Sequence, residues 1–402
     1  ANNMVIDYKA RTLTINGKEM KEGDWISIDG TTGYVYEGKI QTQDAELNDD
    51  FSALMELADK YARMEVRTNA DTPRDARTAR NFGAKGIGLC RTEHMFFEDD
   101  KILAMREMIL AKDEQGRRKA LEKLLPLQKT DFKGIFRTMD GLPVTIRLLD
   151  PPLHEFVPHD EKGQMEMAKV MGISYKDIHD RVEDLIESNP MLGLRGCRLG
   201  NLYPEITEMQ ARAIIEAALE LKKEGVEAIP EIMVPLTGIV HEFKAQKEII
   251  ESTIKKVFSE QNDSVEYKIG TMIEIPRAAL TAHRIAEEAD FFSFGTNDLT
   301  QMTFGYSRDD VAKFLPMYID KGFLKHDPFA VLDQKGVGRL MRMAIQEGRS
   351  VKPTLKCGLC GEHGGEPSSV KFCHTIGLNY VSCSPFRVPI ARLAAAQAAI
   401  EG

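Results

Sequence analysis

Two residues able to bind a ligand, Asn297 and Asp298, lie shortly after an aromatic run. The run Phe291–Phe294 has the composition of a buried strand, and only Gly295 and Thr296 separate it from the amide and the carboxylate. In parallel α/β folds, ligands bind outside the carboxyl ends of the strands, so this position favours a binding site. An isolated Asn-Asp pair is also typical of a turn with a helix N-cap, which is the alternative interpretation.

A second carboxylate, Glu274, lies near the end of the preceding apolar run, Tyr267–Ile275. Two carboxylates at the ends of adjacent strands can bind one Mg²⁺ ion, with water and substrate oxygens completing the shell. Glu274 and Asp298 are therefore candidate metal ligands. The alternative for an arbitrary Glu and Asp is a pair held only in salt bridges.

Arginines at the ends of other apolar runs favour an anionic ligand. Arg91 and Arg147 occupy such positions, and Arg195 and Arg308 are further candidates. The planar guanidinium fork of arginine binds a phosphate or a carboxylate through two hydrogen bonds. Mg²⁺ together with several arginines indicates a small, highly anionic substrate that carries phosphate.

The segment Cys357-Gly-Leu-Cys360 has the spacing of a zinc or thiol-redox motif. A second such pair or a suitably spaced histidine pair is missing from the sequence, which argues against zinc. Cys360-Gly-Glu-His363-Gly-Gly places one thiol on a glycine-rich strand end, with His363 as a possible proton partner. A thiol can act as a general acid near a developing carbanion, so Cys360 is the candidate catalytic residue. Cys357 is predicted to be a small buried apolar residue.

Strand-like apolar runs alternate with amphipathic helical runs from residue 64 onward. Eight strands alternating with helices predict an α/β fold, a closed (β/α)8 TIM barrel of about 300 residues with helical insertions and a short N-terminal β segment. The alternative is an open doubly wound sheet. The candidate strands are Met64–Asp71, Gly86–Glu93, Val144–Asp150, Met191–Cys197, Ala228–Leu236, Tyr267–Ile275, Phe291–Asp298 and Thr354–Glu362.

The composition argues against several classes of protein. The 402 residues include 53 Lys and Arg against 62 Asp and Glu, and the net charge of −9 disfavours sequence-independent binding to nucleic acid. The sequence contains no apolar run near the roughly 20 residues that a membrane span needs, and its start has no signal-peptide pattern. Six cysteines in so long a chain do not indicate a disulfide framework, so a reduced, cytoplasmic setting is predicted.

Residues 1–40 are predicted to form a separate small β segment. Arg11-Thr-Leu-Thr-Ile and Trp25-Ile-Ser-Ile-Asp alternate apolar and polar residues, as half-buried strands do. Forty residues are too few to bury a stable core alone. The segment is therefore either an appendage of the main domain or the tail of another domain.

Four motifs occur along the chain in a fixed order. They are Gly86-Ile-Gly-Leu-Cys-Arg-Thr-Glu-His-Met-Phe-Phe, Asn189-Pro-Met-Leu-Gly-Leu-Arg-Gly-Cys-Arg, Phe291-Phe-Ser-Phe-Gly-Thr-Asn-Asp-Leu-Thr-Gln and Cys360-Gly-Glu-His-Gly-Gly. Together they resemble the phosphoenolpyruvate-utilising enzymes, over about residues 45–400. A further segment, Ile146-Arg-Leu-Leu-Asp-Pro-Pro-Leu-His-Glu-Phe, resembles the pyruvate phosphate dikinases within that family more than phosphoenolpyruvate synthase or enzyme I of the sugar phosphotransferase system.

The resemblance implies a (β/α)8 barrel that binds phosphoenolpyruvate and pyruvate with Mg²⁺, in a protein that is usually a homodimer. Glu274 and Asp298 would bind the metal ion, the two arginines Arg91 and Arg147 would hold the phosphate, and Cys360 would donate a proton to C3. The substrate-binding residues implied by the motifs are Arg91, Arg147, Glu274, Gly295, Thr296, Asn297 and Asp298.

The family reaction passes through a phosphohistidine on a swivelling domain, within a Gly-Gly-Xaa-Thr-Ser-His type of motif that this sequence lacks. Residues 1–40 are accordingly predicted to be a remnant of that domain, and residues 41–402 the barrel domain, of a longer enzyme. The resemblance implies a phosphotransferase with paired acceptors, of which this chain would perform only the pyruvate/phosphoenolpyruvate partial reaction. The phosphohistidine domain would then be a partner. The alternatives are the barrel of a related phosphotransferase and a Mg²⁺-dependent binding module without turnover.

Overall fold

The computed structural model describes residues 4–7, 10–29, 32–42, 48–97 and 99–402, in two units comprising residues 1–53 and 54–402. The acidic amphipathic pattern of Asp44–Tyr61 predicts a helix. Among the described residues this helix begins at Asp49, and residues 44–47 lie outside them. The predicted division at residues 40 and 41 remains a prediction. In the described part of the chain, no helix combines the length and the apolar character that crossing a membrane requires.

The first unit consists of short antiparallel strands. Asn16 and Gly17, both with positive φ, form the turn between its second and third strands, a conformation that suits a two-residue hairpin. Both alternating segments noticed in residues 1–40 contain a strand. The strands are β1 (Met4–Asp7), β2 (Thr12–Ile15) and β3 (Lys18–Lys21) in one sheet, and β4 (Ile26–Ile28) and β5 (Val35–Glu37) in another.

The second unit contains a closed barrel of eight parallel strands with helices between them, so the predicted α/β TIM barrel is confirmed. Each strand pairs with the next along the chain, and the last pairs with the first. The strands are β6 (Glu65–Asn69), β7 (Ile87–Arg91), β8 (Pro143–Arg147), β9 (Ile229–Val234), β10 (Lys268–Ile273), β11 (Phe291–Phe294), β12 (Lys356–Leu359) and β13 (Tyr380–Cys383).

Helices follow most of the strands and also form the insertions. In chain order they are α1 (Asp49–Tyr61), α2 (Pro73–Asn81), α3 (Asp99–Ile109), α4 (Glu114–Thr138), α5 (Glu161–Met171), α6 (Tyr175–Asp184), α7 (Gly196–Leu202), α8 (Pro204–Lys223), α9 (Val240–Gln261), α10 (Pro276–Leu280), α11 (Ala282–Ala286), α12 (Thr296–Phe304), α13 (Leu315–Asp320), α14 (Val337–Val351), α15 (Pro367–Thr375) and α16 (Val388–Glu401).

One predicted strand is wrong and one strand was missed. Met191–Cys197 is not a strand: Pro190–Leu192 is a short 3-10 turn and α7 begins at Gly196, which has a φ of 57°. A proline and two nearby glycines favour this irregular path over a ladder of hydrogen bonds. The eighth strand is instead β13, whose four residues are too short a run to stand out from the sequence.

The two faces of the barrel strands bury different side chains. Ile232 and Ile273 belong to the large core between strands and helices, whereas their neighbours Met233 and Met272 belong to a separate small cluster that also contains Cys360. Successive strand residues point to opposite faces, so this second cluster fills the barrel interior. Cys360 therefore lies on the interior side of the barrel, directly after the end of β12.

Candidate active site

The strand ends bring the predicted residues to one face of the barrel. Arg91 is the last residue of β7 and Arg147 the last of β8, while Glu274, Gly295 and Cys360 each directly follow a strand. Because all eight strands are parallel, these positions lie at the same end of the barrel, where sites of this architecture are found. Thr296, Asn297 and Asp298 follow in the first turn of α12.

Arg147 and Arg195 share a buried carboxylate, Asp150. Nη1 of Arg147 lies 3.0 Å from Oδ2 of Asp150, and Nη2 of Arg195 donates to the same oxygen at 2.6 Å. Arg147 also donates to Glu93, and Nη1 of Arg195 donates to Oδ1 of Asp298 at 3.3 Å. Burial would raise the pKa of Asp150, but the two guanidinium groups outweigh it and lower that pKa. Asp150 therefore holds both arginines in fixed orientations.

Arg195 was predicted on a strand but lies at the N-cap of α7, and it still reaches the site. Glu93 and Asp150 are the residues that sequence reasoning left without a role. Both stand at polar strand ends, which was the available signal, but their pairing with specific arginines is set by the fold.

Glu274 is fully buried, and only one of its two carboxylate oxygens has a partner. Oε1 accepts a hydrogen bond from the backbone N–H of Leu236 at 2.6 Å, whereas Oε2 has none among the described residues. Burial and the negative charges of Asp298 and Asp150 raise the pKa of Glu274 well above its ordinary value. Burial also raises the pKa of Asp298, although Arg195 opposes this. The negative charge of Asp298 is therefore near enough to disfavour ionisation of Glu274.

This arrangement fits a bound divalent cation. Within the described residues, Glu93 Oε2, Arg147 Nε and Asp150 Oδ1 are also buried without a partner, and such groups are rare away from functional sites. No cluster of three His, Cys, Asp or Glu that could hold a metal ion occurs in the described ranges. A two-carboxylate site that leaves the remaining positions to water and substrate is what Mg²⁺ commonly uses.

Gly295 sits where only a glycine fits beside this carboxylate. A Cβ atom at this position would lie 2.7 Å from Oε2 of Glu274 and equally close to Sδ of Met272. Contacts that short do not occur for real Cβ atoms, so a side chain here would displace the carboxylate. The backbone of Gly295 thus borders the predicted metal-binding oxygen.

Arg91 lies at the edge of the site, facing an open cavity of about 810 Å³. Its backbone N–H, Nε and Nη2 donate to the carboxylate of Asp71, at 2.7, 3.2 and 3.0 Å. His94 contacts the same carboxylate through Nδ1 at 2.7 Å. Arg308 and Glu362 also line the cavity. The backbone N–H of Glu362 donates a hydrogen bond to Asn297. Arg91 and Arg308 therefore line a common cavity.

The two cysteines of the Cys-Xaa-Xaa-Cys segment lie in different environments. Cys357 is fully buried in the main core between strands and helices, which agrees with its predicted apolar role. Cys360 lies in the barrel interior, with Sγ 3.7 Å from the carbonyl oxygen of Phe294. Burial raises the pKa of Cys360 to about 11, so the free protein carries a protonated thiol near neutral pH.

His363 is buried but does not bond to the thiol. Its Nδ1 lies 2.8 Å from Oγ1 of Thr296 and its Nε2 lies 2.8 Å from the carbonyl oxygen of Pro328. Both ring nitrogens are thus engaged by groups other than Cys360. Asn69 contacts the thiol residue instead, through a hydrogen bond from Nδ2 to the backbone carbonyl oxygen of Cys360 at 2.9 Å.

A family model and curated relatives indicate the same family. Residues 45–400 match the family model described as "PEP-utilising enzyme, PEP-binding domain". The chain is 57% identical over 396 residues to the pyruvate, phosphate dikinase of Clostridium symbiosum, covering 98% of this chain and 45% of that protein. It is 60% identical over 390 residues to the chloroplastic pyruvate, phosphate dikinase of Mesembryanthemum crystallinum, covering 96% of this chain and 41% of that protein.

The chain spans less than half the length of these curated relatives. Relatives named as chloroplastic leave the predicted cytoplasmic setting a prediction for this chain. The family match extends over every barrel strand and over each strand end described above. The chain belongs to the family of PEP-utilising enzymes, as their PEP-binding domain.

Proposed function

We propose that this barrel binds phosphoenolpyruvate and pyruvate and interconverts them, exchanging the phosphoryl group with a phosphohistidine on another domain. The observation that carries the proposal is the unpaired Oε2 of Glu274, buried beside Asp298 at the face that also holds Cys360. The family match and the dikinase names of the relatives support the same substrates. The overall reaction would be that of a pyruvate phosphate dikinase, of which this chain would supply one half.

Glu274 and Asp298 would hold Mg²⁺, whose charge would stabilise oxygens of the phosphate and of the enolate. The fit rests on the raised pKa values of both carboxylates, because a cation between them would relieve their mutual repulsion. Because Gly295 has no side chain, it does not displace Oε2 of Glu274, the oxygen that would bind the ion. Thr296 and Asn297 would line the substrate from the first turn of α12.

Arg91 and Arg147 would hold the phosphate. Asp71 orients the first guanidinium group, and Glu93 and Asp150 orient the second, so little reorganisation is needed when the substrate arrives. Each arginine keeps its charge when it pairs with a phosphate, and the planar group favours a bidentate contact.

Cys360 would move the proton at C3. When the bond between phosphorus and the enol oxygen breaks, the phosphoryl group passes to the histidine and the pyruvate enolate remains. The thiol then gives its proton to C3, forming pyruvate and a thiolate, and solvent returns a proton to the sulfur. The high pKa of Cys360 suits this direction, because the thiol starts protonated.

Solvent deuterium exchange into C3 of pyruvate tests the proposal without a phosphohistidine partner. We expect NMR to show exchange in the presence of Mg²⁺, and none above buffer after chelation of the metal. Phosphoenolpyruvate binding without any exchange would instead support a binding module without turnover. Adding the phosphorylated partner of a dikinase, and in parallel the phosphocarrier protein of the sugar phosphotransferase system, then distinguishes the dikinase from enzyme I. A homodimer is part of the same proposal.

A further inference from the structure

His363 connects two walls of the site through one buried ring. It lies in the 3-10 turn Glu362–Gly365, three residues after Cys360, and has no exposed surface. Its two ring nitrogens contact groups far apart in the chain, Thr296 on one side and Pro328 on the other. Neither interaction belongs to the chemistry proposed above.

The chemistry of these partners fixes the tautomer of the ring. The Pro328 carbonyl oxygen only accepts hydrogen bonds, so Nε2 of His363 must carry a proton and donate it. In the neutral ring, Nδ1 then accepts a hydrogen bond from the hydroxyl group of Thr296. Burial lowers the pKa of His363, although the carboxylates of Glu366, Glu362 and Asp327 oppose this, so the ring is neutral near pH 7.

Thr296 connects the ring to the first turn of α12. That turn also carries Asn297 and Asp298. Oδ1 of Asn297 accepts a hydrogen bond from the backbone N–H of Glu362 at 3.2 Å. Gly361 permits this approach, since a Cβ atom there would lie 2.0 Å from Oγ1 of Thr296. The end of β12 thereby holds the turn that bears the predicted metal ligand.

Pro328 connects the ring to the insertion that follows α12. Its neighbours Asp327 and Phe329 line the 810 Å³ cavity that Arg91 also lines. Phe329 packs in a small core of its own with Val311 and Leu315, separate from the barrel cores. The hydrogen bond from His363 therefore attaches a separately packed insertion to the barrel, beside the cavity.

We propose that His363 is a positioning residue. Through Thr296 it orients the first turn of α12, which carries Asp298, and through Pro328 it holds residues 327–331 in place beside the cavity. The consequence for catalysis rests on the proposed function, whereas the two attachments do not. A neutral imidazole ring holds one donor and one acceptor at two fixed positions of a rigid ring, so it serves both partners at once.

Two substitutions separate the two attachments. In His363→Gln, the amide nitrogen can replace Nε2 and keep the bond to Pro328, while the acceptor for Thr296 is lost. In His363→Asn, the amide oxygen can replace Nδ1 and keep the bond to Thr296, while the bond to Pro328 is lost. We expect His363→Gln to raise the Mg²⁺ concentration needed for half-maximal C3 exchange about tenfold or more, with little change in amide hydrogen exchange at residues 325–332.

For His363→Asn we expect the opposite pattern, faster amide exchange at residues 325–332 with nearly unchanged Mg²⁺ dependence. Thr296→Val should add little to His363→Gln, because both remove the same hydrogen bond. His283→Gln is the matched control, since His283 is partly exposed on α11 against Glu347, and it should change neither measurement. Identical patterns in the two His363 variants, or full additivity with Thr296→Val, would overturn the proposal.

One measurement needs neither a variant nor turnover. In the parent protein labelled with ¹⁵N at histidine, NMR should show His363 neutral at pH 7 with the proton on Nε2. A charged ring, or a proton on Nδ1, would overturn the inference even if the variants fail to fold. A parent that fails to exchange C3 deuterium but shows this tautomer, and the amide-exchange change in His363→Asn, would contradict the proposed function and leave the two attachments in place.

Discussion

At Glu274 the barrel removes a carboxylate from water, and one of its oxygens has no hydrogen-bond partner in the part of the chain that the structure describes. A structure selected for stability alone would not keep such a group, because a buried polar atom without a hydrogen-bond partner is costly even when the carboxyl is protonated. The neighbouring Asp298 also has a raised pKa. Two neighbouring carboxylates with raised pKa values are typical of a cation-binding site.

Glu274→Gln tests that interpretation. The amide keeps the shape of the side chain and removes the charge, so we expect Mg²⁺-dependent binding of phosphoenolpyruvate to be lost while the unfolding midpoint stays the same or rises. Asp298→Asn should act in the same way. The measurement is calorimetry with and without Mg²⁺, and Glu347→Gln, on the exposed surface of α14, is the control. Unchanged affinity in either site variant with Mg²⁺ present would mean that these are not metal ligands.

Arg147→Lys tests the grip on the phosphate. Lysine keeps the charge but cannot span Glu93 and Asp150 while also facing a ligand, because it lacks the planar fork. We expect the affinity for phosphoenolpyruvate to fall by about 1.5–3 kcal/mol, the scale of a charged hydrogen bond, and the affinity for pyruvate to fall less. Arg91→Lys, at a more exposed position, should show the same preference with a smaller loss of thermal stability. Equal losses for both ligands would assign Arg147 to the shared carboxylate or to the fold.

Cys360→Ala tests the proton transfer. C3 exchange of pyruvate should fall by about 10²–10⁴-fold, the scale of general acid–base catalysis, with phosphoenolpyruvate binding retained. Removing a proton from C3 needs the thiolate, and the pKa of about 11 means that its fraction rises tenfold per pH unit below that value. The parent exchange rate should therefore rise between pH 7 and 9. Cys357→Ala is the control and should exchange C3 at nearly the parent rate. Loss of exchange in Cys357→Ala, or exchange at the parent rate in Cys360→Ala, would show that Cys360 is not the acid–base group.

At the scale of elements, the sequence predicts seven of the eight barrel strands, because each is an apolar run that ends in polar residues. It fails at Met191–Cys197, where a Gly-Leu-Arg-Gly stretch reads as a strand end but folds as a turn into α7. It also misses β13, whose Tyr-Val-Ser-Cys run becomes a strand only because β6 and β12 flank it and the barrel must close. Tertiary pairing, which a local pattern does not contain, decides both cases.

The site residues were easier to predict than their partners. A polar residue after an apolar run is a local signal, and it is enough to place Arg91, Glu274 and Cys360 at the carboxyl ends of barrel strands. The bond between Arg195 and Asp298 joins residues 103 positions apart, and it follows from the barrel geometry and not from any local pattern.

The barrel interior also contains a charged group that serves stability. Glu231 accepts hydrogen bonds from Arg67 at 2.9 Å, Lys356 at 2.6 Å and Thr145 at 2.8 Å. Burial would raise the pKa of Glu231, but Arg67 and Lys356 outweigh it and hold the pKa at about 2. Arg67 also lies 4.2 Å from the centre of the Tyr380 ring, which links β6 to β13.

Glu231→Gln should destabilise the barrel by about 3–5 kcal/mol near neutral pH, because it leaves the buried Arg67 and the partly buried Lys356 without the carboxylate that both contact. A carboxylate with a lowered folded-state pKa stabilises the protein above its unfolded pKa of about 4.5. That contribution is lost as the pH falls toward 2. Denaturant unfolding from pH 7 to pH 3 should therefore show a difference between parent and variant that shrinks with acid. A constant difference would contradict the assignment of the lowered pKa to Glu231. Glu251→Gln, on the outer helix α9, is the control.

At the scale of the whole molecule, the barrel unit exposes apolar side chains on the side where α16 packs. Phe386 is 71% exposed and meets Phe82 edge-on, with ring centroids 5.8 Å apart. Ile390, on α16 itself, is 43% exposed. Neighbouring apolar side chains with this much exposure favour an interface over a solvated surface. Phe386 lies in the turn that directly follows β13, and its neighbours Pro385 and Arg387 line the 810 Å³ cavity, so this surface borders the barrel mouth.

The proposed homodimer is therefore predicted to use this surface. Light scattering should give twice the mass of one chain, and Phe386→Asp should shift the protein toward monomer, because a charge inside a desolvated interface is costly. Phe323→Asp is the matched control, since Phe323 is 69% exposed in the insertion after α12 and should leave the mass unchanged. If Phe323→Asp dissociates the protein and Phe386→Asp does not, the insertion forms the interface. A parent that remains monomeric at micromolar concentrations would remove the dimer from the proposal. The C3 exchange should persist in that monomer, because all the residues named for the site belong to one chain.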